Sequence, residues 1–286
     1  MPNEIFYTLR HTRLAAKQWR SPNPNALRVL GLHGWMDNAA TFDHLAPYLN
    51  EFNFTALDMA GHGLSDHRPD GAFYNLWDHA LDVISVLQLS SESTWLVGHS
   101  MGGGVAMLVA ALAPEKVRGL IILDSIGPAT SDGKERVSTM QRAVQKMVKL
   151  NLNRSPMYPS IEDMAYARAN GFTQLSEASA RILVKRGAIQ KEGEWYWRHD
   201  SKLAFPSPYR MDEESVASFA HEVKCPTLAL LANEGLYVDK KNLVDKRANE
   251  FSWIKMHWLD GNHHFHLETE SVLSVAEHIG HFIDKN

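Results

Sequence analysis

One cysteine, Cys225, is the only thiol in 286 residues. A lone thiol excludes an intrachain disulfide framework and fits a reducing compartment, so a cytoplasmic location is expected. The chain also lacks any apolar run near the roughly 20 residues that a membrane span needs. Its first stretch, MPNEIFYTLRHTRLAAKQW, carries charges throughout and has no apolar core of a secretory signal. Its last, HFIDKN, has no lipidation or peroxisomal signal. No stable membrane anchor is expected. Basic charge is not in excess either: 29 Lys and Arg stand against 33 Asp and Glu, a formal charge of -4, with no basic run along the chain. Nucleic acid is therefore not an expected partner. Repeats and low-complexity tracts are missing, and one sequence gives no reading of oligomeric state.

What remains is ordinary for a globular protein, 44% hydrophobic and 22% charged, and long enough for one large domain with an insertion. Short apolar runs recur at 26–32, 54–59, 94–97, 117–123, 226–231 and 253–259, the length and character of strands buried on both faces of a parallel sheet. Between them, 42–49, 76–89, 101–112 and 271–283 show apolar residues at helical spacing. The alternation predicts an α/β domain with a mostly parallel, doubly wound sheet. It breaks after the sixth strand. Residues 128–211 read as a helical insertion, or cap, without an obvious strand, leaving 1–127 and 212–286 as the core domain. Within the insertion, Val137, Met140, Val144, Met147 and Val148 mark an amphipathic helix over 134–150 that also carries Lys134, Arg136, Arg142, Lys146 and Lys149. Such a helix can lie on a membrane surface or pack on the core; packing is the expectation.

The chemistry gathers at turns. VGHSMGG at 97–103 places Ser100 between an apolar strand and a helix rich in small residues. A serine in a sharp strand-to-helix turn needs small neighbours, and its hydroxyl stands at the sheet's carboxyl edge beside the helix N-terminus. HGW at 33–35 follows another strand, so the backbone N–H groups of Trp35 and Met101 are expected to converge near Ser100 as oxyanion donors. A base is expected late in the chain, where WLDGNHHFHLE offers His263, His264 and His266, with His263 the candidate. A zinc site built from these histidines with Asp260 and Glu268 is the rival reading, but no HExxH-like spacing is present, so neither a metal nor a cofactor is expected. The acid is displaced. Gly235 stands where the loop after 226–231 would carry an aspartate, which leaves Glu234 as one candidate and Asp124, at the end of 117–123, as the preferred one. Trp35, Met140 and Trp195 are candidate substrate contacts, with packing the competing role for Trp195.

With these residues placed, the chain resembles the α/β-hydrolase superfamily along nearly its whole length. HGWMDNAATF looks like the oxyanion loop, DMAGHGLSD like the DxxGxGxS segment, GHSMGG like the nucleophile elbow and GNHHFH like the histidine loop. The nearest group is the serine hydrolase-like proteins, which share the LHGWxDN opening and the glycine in place of the late acid. The resemblance implies acyl transfer to Ser100, with a small carboxylic ester as substrate. Two alternatives stand beside it: a carbon-carbon bond hydrolase using the same triad, and a degenerate hydrolase fold kept as a binding module, which Gly235 keeps open.

Overall fold

The computed structural model describes residues 2–149 and 156–286. Two strands open the chain, β1 (Asn3–Thr8) and β2 (Arg13–Trp19), followed by β3 (Arg28–Leu32), β4 (Asn53–Leu57), helix α1 (Leu76–Leu87), β5 (Thr94–His99), α2 (Met101–Leu112) and β6 (Val117–Leu123). The inserted segment then supplies α3 (Arg136–Val148), β7 (Met157–Tyr158), α4 (Ile161–Ala169), α5 (Glu177–Gly187), β8 (Ala188–Lys191) and β9 (Glu194–Trp197). The chain closes with α6 (Glu213–His221), β10 (Thr227–Glu234), α7 (Lys241–Glu250), β11 (Ile254–Asn262) and α8 (Val272–Asp284).

Eight strands form one sheet in the order β1-β2-β4-β3-β5-β6-β10-β11. From β4 to β11 every pairing is parallel, while β1 and β2 add an antiparallel edge. The central runs VRGLIIL and TWLVGH are buried on nearly every residue, because helices cover both faces. On one face α1, α2 and α6 bury Val83, Val105, Met107 and Val216; on the other α8 and the loop after β3 bury Phe42, Val275 and Ile279. This is the doubly wound sheet that the sequence predicts. Its carboxyl edge collects the loops after β3, β5, β6, β10 and β11, the usual place for a site in an open α/β sheet.

Three details differ from expectation. Residues 42–49 are not one helix: two 3-10 turns, Ala39–Phe42 and Ala46–Leu49, replace it, with Pro47 at the start of the second. The inserted segment is not purely helical, because β7, β9 and β8 form a small antiparallel sheet in which EWYW is the middle strand. Four residues, three of them consecutive aromatics, carry no alternation by which a strand could be read. Third, α3 does not bury its apolar stripe. Val137 is 70% and Val148 80% exposed, Met140 and Val144 are exposed as well, and Ala143 is the buried residue of the helix. Position 150, the end of the expected helix, lies outside the described residues.

The remainder of the insertion docks firmly. Met164, Leu183 and Val184 pack with Leu267 of the core. Arg186 reaches the buried carboxylate of Asp58 at 2.9 and 3.0 Å and Glu4 at 2.7 Å, while Asn38 donates to the Leu183 carbonyl at 2.9 Å. Where the insertion leaves β6, the buried Arg247 on α7 donates to the carbonyls of Ile126 (3.1 Å) and Pro128 (2.9 Å) and pairs with Glu213 at 2.8 Å.

Candidate active site

Ser100 sits between β5 and α2 with φ 53° and ψ -117°. A non-glycine residue in that left-handed region stores about 1–3 kcal/mol and persists only where its surroundings impose it. Here they do: the Ser100 N–H donates to the Leu123 carbonyl at 2.9 Å, and glycines flank the turn. A Cβ on Gly98 would strike the Gly102 carbonyl, and one on Gly102 would strike the Leu32 carbonyl. The small residues of GHSMGG therefore let α2 pass close over the sheet and hold the serine at its edge. Met101 is the first residue of α2, whose leading N–H groups have no partner one turn back. Among the described residues neither the Met101 nor the Trp35 amide donates a hydrogen bond within the protein. Both residues border Ser100 in one cavity.

His263 follows β11 and donates from Nδ1 to Asp124 Oδ2 at 2.5 Å. Asp124 is fully buried and has φ 40°, a second strained residue one strand from the serine. The other hydrogen bonds to the carboxylate come from β10 and the loop after it: the amides of Ala232 (3.1 Å) and Leu236 (2.9 Å) donate to its two oxygens. A Cβ at Gly235 would collide with that carboxylate. Glu234 is exposed, lines a separate surface cavity with Asp260 and Glu268, and among the described residues makes no hydrogen bond or ion pair with His263. Of the two candidate acids, Asp124 is the one brought to the histidine. Nδ1 being engaged, Nε2 is the nitrogen left to the pocket that His263 shares with Ser100. The two make no direct hydrogen bond among the described contacts, a common state before substrate arrives.

The histidine loop is tied to the serine turn. His99, fully buried, donates from Nε2 to the His263 carbonyl at 2.9 Å. His264 points elsewhere, to Asp37 at 2.9 Å, and Arg168 of α4 reaches the same Asp37 at 2.8 Å. Burial pulls the Asp37 carboxyl upward, but Arg168 and His264 outweigh it and hold it well below the usual range. Burial keeps His99, His264 and His266 neutral by pushing them down. Asp37, His99 and His264 offer ligand atoms within 4.8 Å of one another, the spacing of a metal site. The Arg168 guanidinium already supplies the positive charge there. The metal set considered from sequence is not assembled: Asp260 accepts from Asn233, and Glu268 from Ser176, Ser179 and Asn262. Asp37, His99 and Arg168 were not among the expected site residues; the HGWMDN and GHS motifs held the first two in view, and nothing in sequence spacing points to the third.

Two cavities meet at Ser100. The larger, about 1260 Å³, is lined by Trp35, Trp77, Met101, Leu203 and Tyr209 among others; the smaller, about 390 Å³, by Tyr158, Phe172, Trp197 and His263. Trp35 borders both, as expected. Met140 and Trp195 border neither. Met140 lies on the exposed stripe of α3, and Trp195 packs inside the insertion; Trp197, two residues on and on the same face of β9, packs against the same cluster and also borders the smaller cavity.

The sheet order, the strained serine at the β5–α2 turn and the convergence of loops at the carboxyl edge define an α/β hydrolase. Residues 28–154 match the family model described as the alpha/beta hydrolase fold. The chain is 33% identical over 276 residues to a serine hydrolase-like protein of Dictyostelium discoideum, covering 91% of this chain and 76% of that one. It is 31% identical over 306 residues to a serine hydrolase-like protein of Danio rerio, covering 94% and 91%. A crystal structure of a hypothetical protein from Pseudomonas aeruginosa superposes with a TM-score of 0.92 at 35% identity, covering 98% of this chain and 99% of that one. The chain belongs to the α/β-hydrolase superfamily, and its recorded relatives include the serine hydrolase-like proteins. Among the described residues no helix is long and apolar enough to cross a membrane.

Proposed function

We propose that the protein is a serine hydrolase of small carboxylic esters, with Ser100 as nucleophile, His263 as base and Asp124 as the acid that orients it. The observation that carries this reading is the 2.5 Å hydrogen bond from His263 Nδ1 to a carboxylate displaced onto β6, beside a serine held in a strained turn. Ser100 attacks the ester carbonyl as His263 Nε2 takes its proton; the negative oxygen is met by the Trp35 and Met101 amides, each worth about 2.7–4 kcal/mol in such a role. His263 then returns the proton to the leaving alcohol, and water, activated by the same ring, releases the acid. Asp124 fixes the Nδ1–H tautomer and stabilises the imidazolium without itself taking the proton. In this mechanism no step calls for a metal or an organic cofactor. Residues 128–211 act as a cap that shapes both cavities, with Trp35 bordering the reacting carbonyl.

A fluorophosphonate probe tests the reading. The folded protein should label at Ser100 and hydrolyse a panel of short acyl esters, with both lost in Ser100→Ala. A folded, unlabelled wild-type protein would reject catalysis in favour of a binding module.

A further inference from the structure

Resting on the serine-hydrolase reading of Ser100, we infer that the large cavity takes an acyl chain whose far end carries an anionic group. Six of the residues lining it carry formal charge: Arg142, Lys146, Lys149, Arg210, Lys240 and Asp124. The Asp124 carboxylate is committed to His263 and two backbone amides. Five cations are left facing one cavity. Among the described residues none of the five makes an ion pair; Arg142 donates to Thr139 Oγ1 at 3.0 Å, and the Lys240 ammonium stands 5.5 Å from the Tyr237 ring centroid. Gathered without a counter-ion they repel one another, and a bound anion relieves that repulsion.

The orientation of α3 sharpens the assignment. An amphipathic helix ordinarily turns its apolar stripe to the protein and its charges to water. This one is reversed. Arg142, Gln145, Lys146 and Lys149 share the face that lines the cavity, while Val137, Val144 and Val148 lie on the opposite face in solvent. The same cavity has apolar walls beside Ser100 and the cations, with Leu76, Trp77, Leu203, Phe205 and Met211. His263 lines the small cavity and not the large one. Because it must protonate the leaving alcohol, that half belongs in the small cavity and the acyl half in the large one.

The test compares the phenyl monoester of sebacic acid, whose far carboxylate is free, with phenyl decanoate of the same length. At low salt the ratio of their kcat/KM values should exceed about tenfold, the lower bound for focusing by a cleft of one charge sign. It should shrink toward one in the Arg142→Gln/Lys146→Gln/Lys149→Gln protein and at high salt. A ratio near one, or one that the triple substitution leaves intact, overturns the inference. So does a preference confined to the leaving half, read as decanoyl-coenzyme A over the N-acetylcysteamine thioester. Binding of the corresponding anilides to Ser100→Ala, followed by tryptophan fluorescence, separates two failures. Anion preference without turnover in the wild type condemns the serine reading alone; turnover without anion preference condemns this inference alone.

Discussion

The carboxylate of Asp124 occupies the space that a Cβ on Gly235 would take. The glycine and the carboxylate on His263 are therefore one arrangement: the residue after β6 supplies the carboxylate, and the loop after β10 supplies the room and the Leu236 amide that holds it.

Replacing Asp124 by Asn should lower turnover by roughly 10⁴ with the fold retained, because the wrong tautomer of His263 is then favoured. Glu234→Gln should leave turnover within about twofold, the behaviour of an exposed residue outside the site. Steady-state hydrolysis of the best ester, with circular dichroism as the fold control, reads both. The reverse pattern would move the acid to Glu234.

Gly235→Ala should push the Asp124 carboxylate off His263 and cost up to about 100-fold in kcat, the scale of an ångström-sized misplacement. Adding Gly235→Asp to Asp124→Ala should raise fluorophosphonate labelling above that of Asp124→Ala alone. Equal labelling of the two would show that position 235 cannot serve the histidine.

Arg168→Met should leave the buried Asp37 without its cation. Losing one partner of a buried pair costs about 3–5 kcal/mol, and the 15% exposure of the Arg168 side chain places the expected loss at the lower end. The urea midpoint reads the loss, and hydrogen exchange should quicken in α4 and α5, which the guanidinium ties to the core. An unchanged midpoint would mean that the pair is stabilised from elsewhere.

Stability should fall as pH drops below about 6.5, the unfolded imidazole value. Burial holds His33, His62, His79, His99, His199, His264 and His266 below that range, His79 down to about 3. In the window between the two values the unfolded chain binds more protons, so stability is complete above it and is lost as pH falls through it. Each ring contributes at most about 1.4 kcal/mol per pH unit. Asp37, depressed instead, loses its contribution only below about pH 3.8, outside most of that window. Urea unfolding from pH 7 to 5 should show the slope, shallower in His79→Phe, whose native ring nitrogens are both buried without partners among the described residues. A flat profile would contradict the neutral buried rings.

The parts that short-range chemistry dictates were legible in the sequence. Apolar runs such as VRGLIIL have the length and β-branched content of doubly covered strands, and the glycines around Ser100 report a close backbone approach. Gly235 was informative because a missing carboxylate demands a substitute at the same sheet edge. Long-range partners were not legible. Nothing in local spacing ties Arg168 to Asp37, 131 residues apart. The apolar stripe of α3 was read correctly as amphipathic and assigned the wrong side, because periodicity gives a face but not the direction it looks. Of the five cations of the large cavity, Arg142, Lys146 and Lys149 are in view on one helix, but nothing in the sequence joins them to Arg210 and Lys240.

Asp124 lies four residues before Pro128, so the carboxylate bonded to His263 and the start of the inserted segment share one short length of chain. Arg247 grips that length at Ile126 and Pro128 and is itself braced by Glu213. It acts as a rivet at the root of the insertion, fixing the backbone two and four residues past the carboxylate that holds His263.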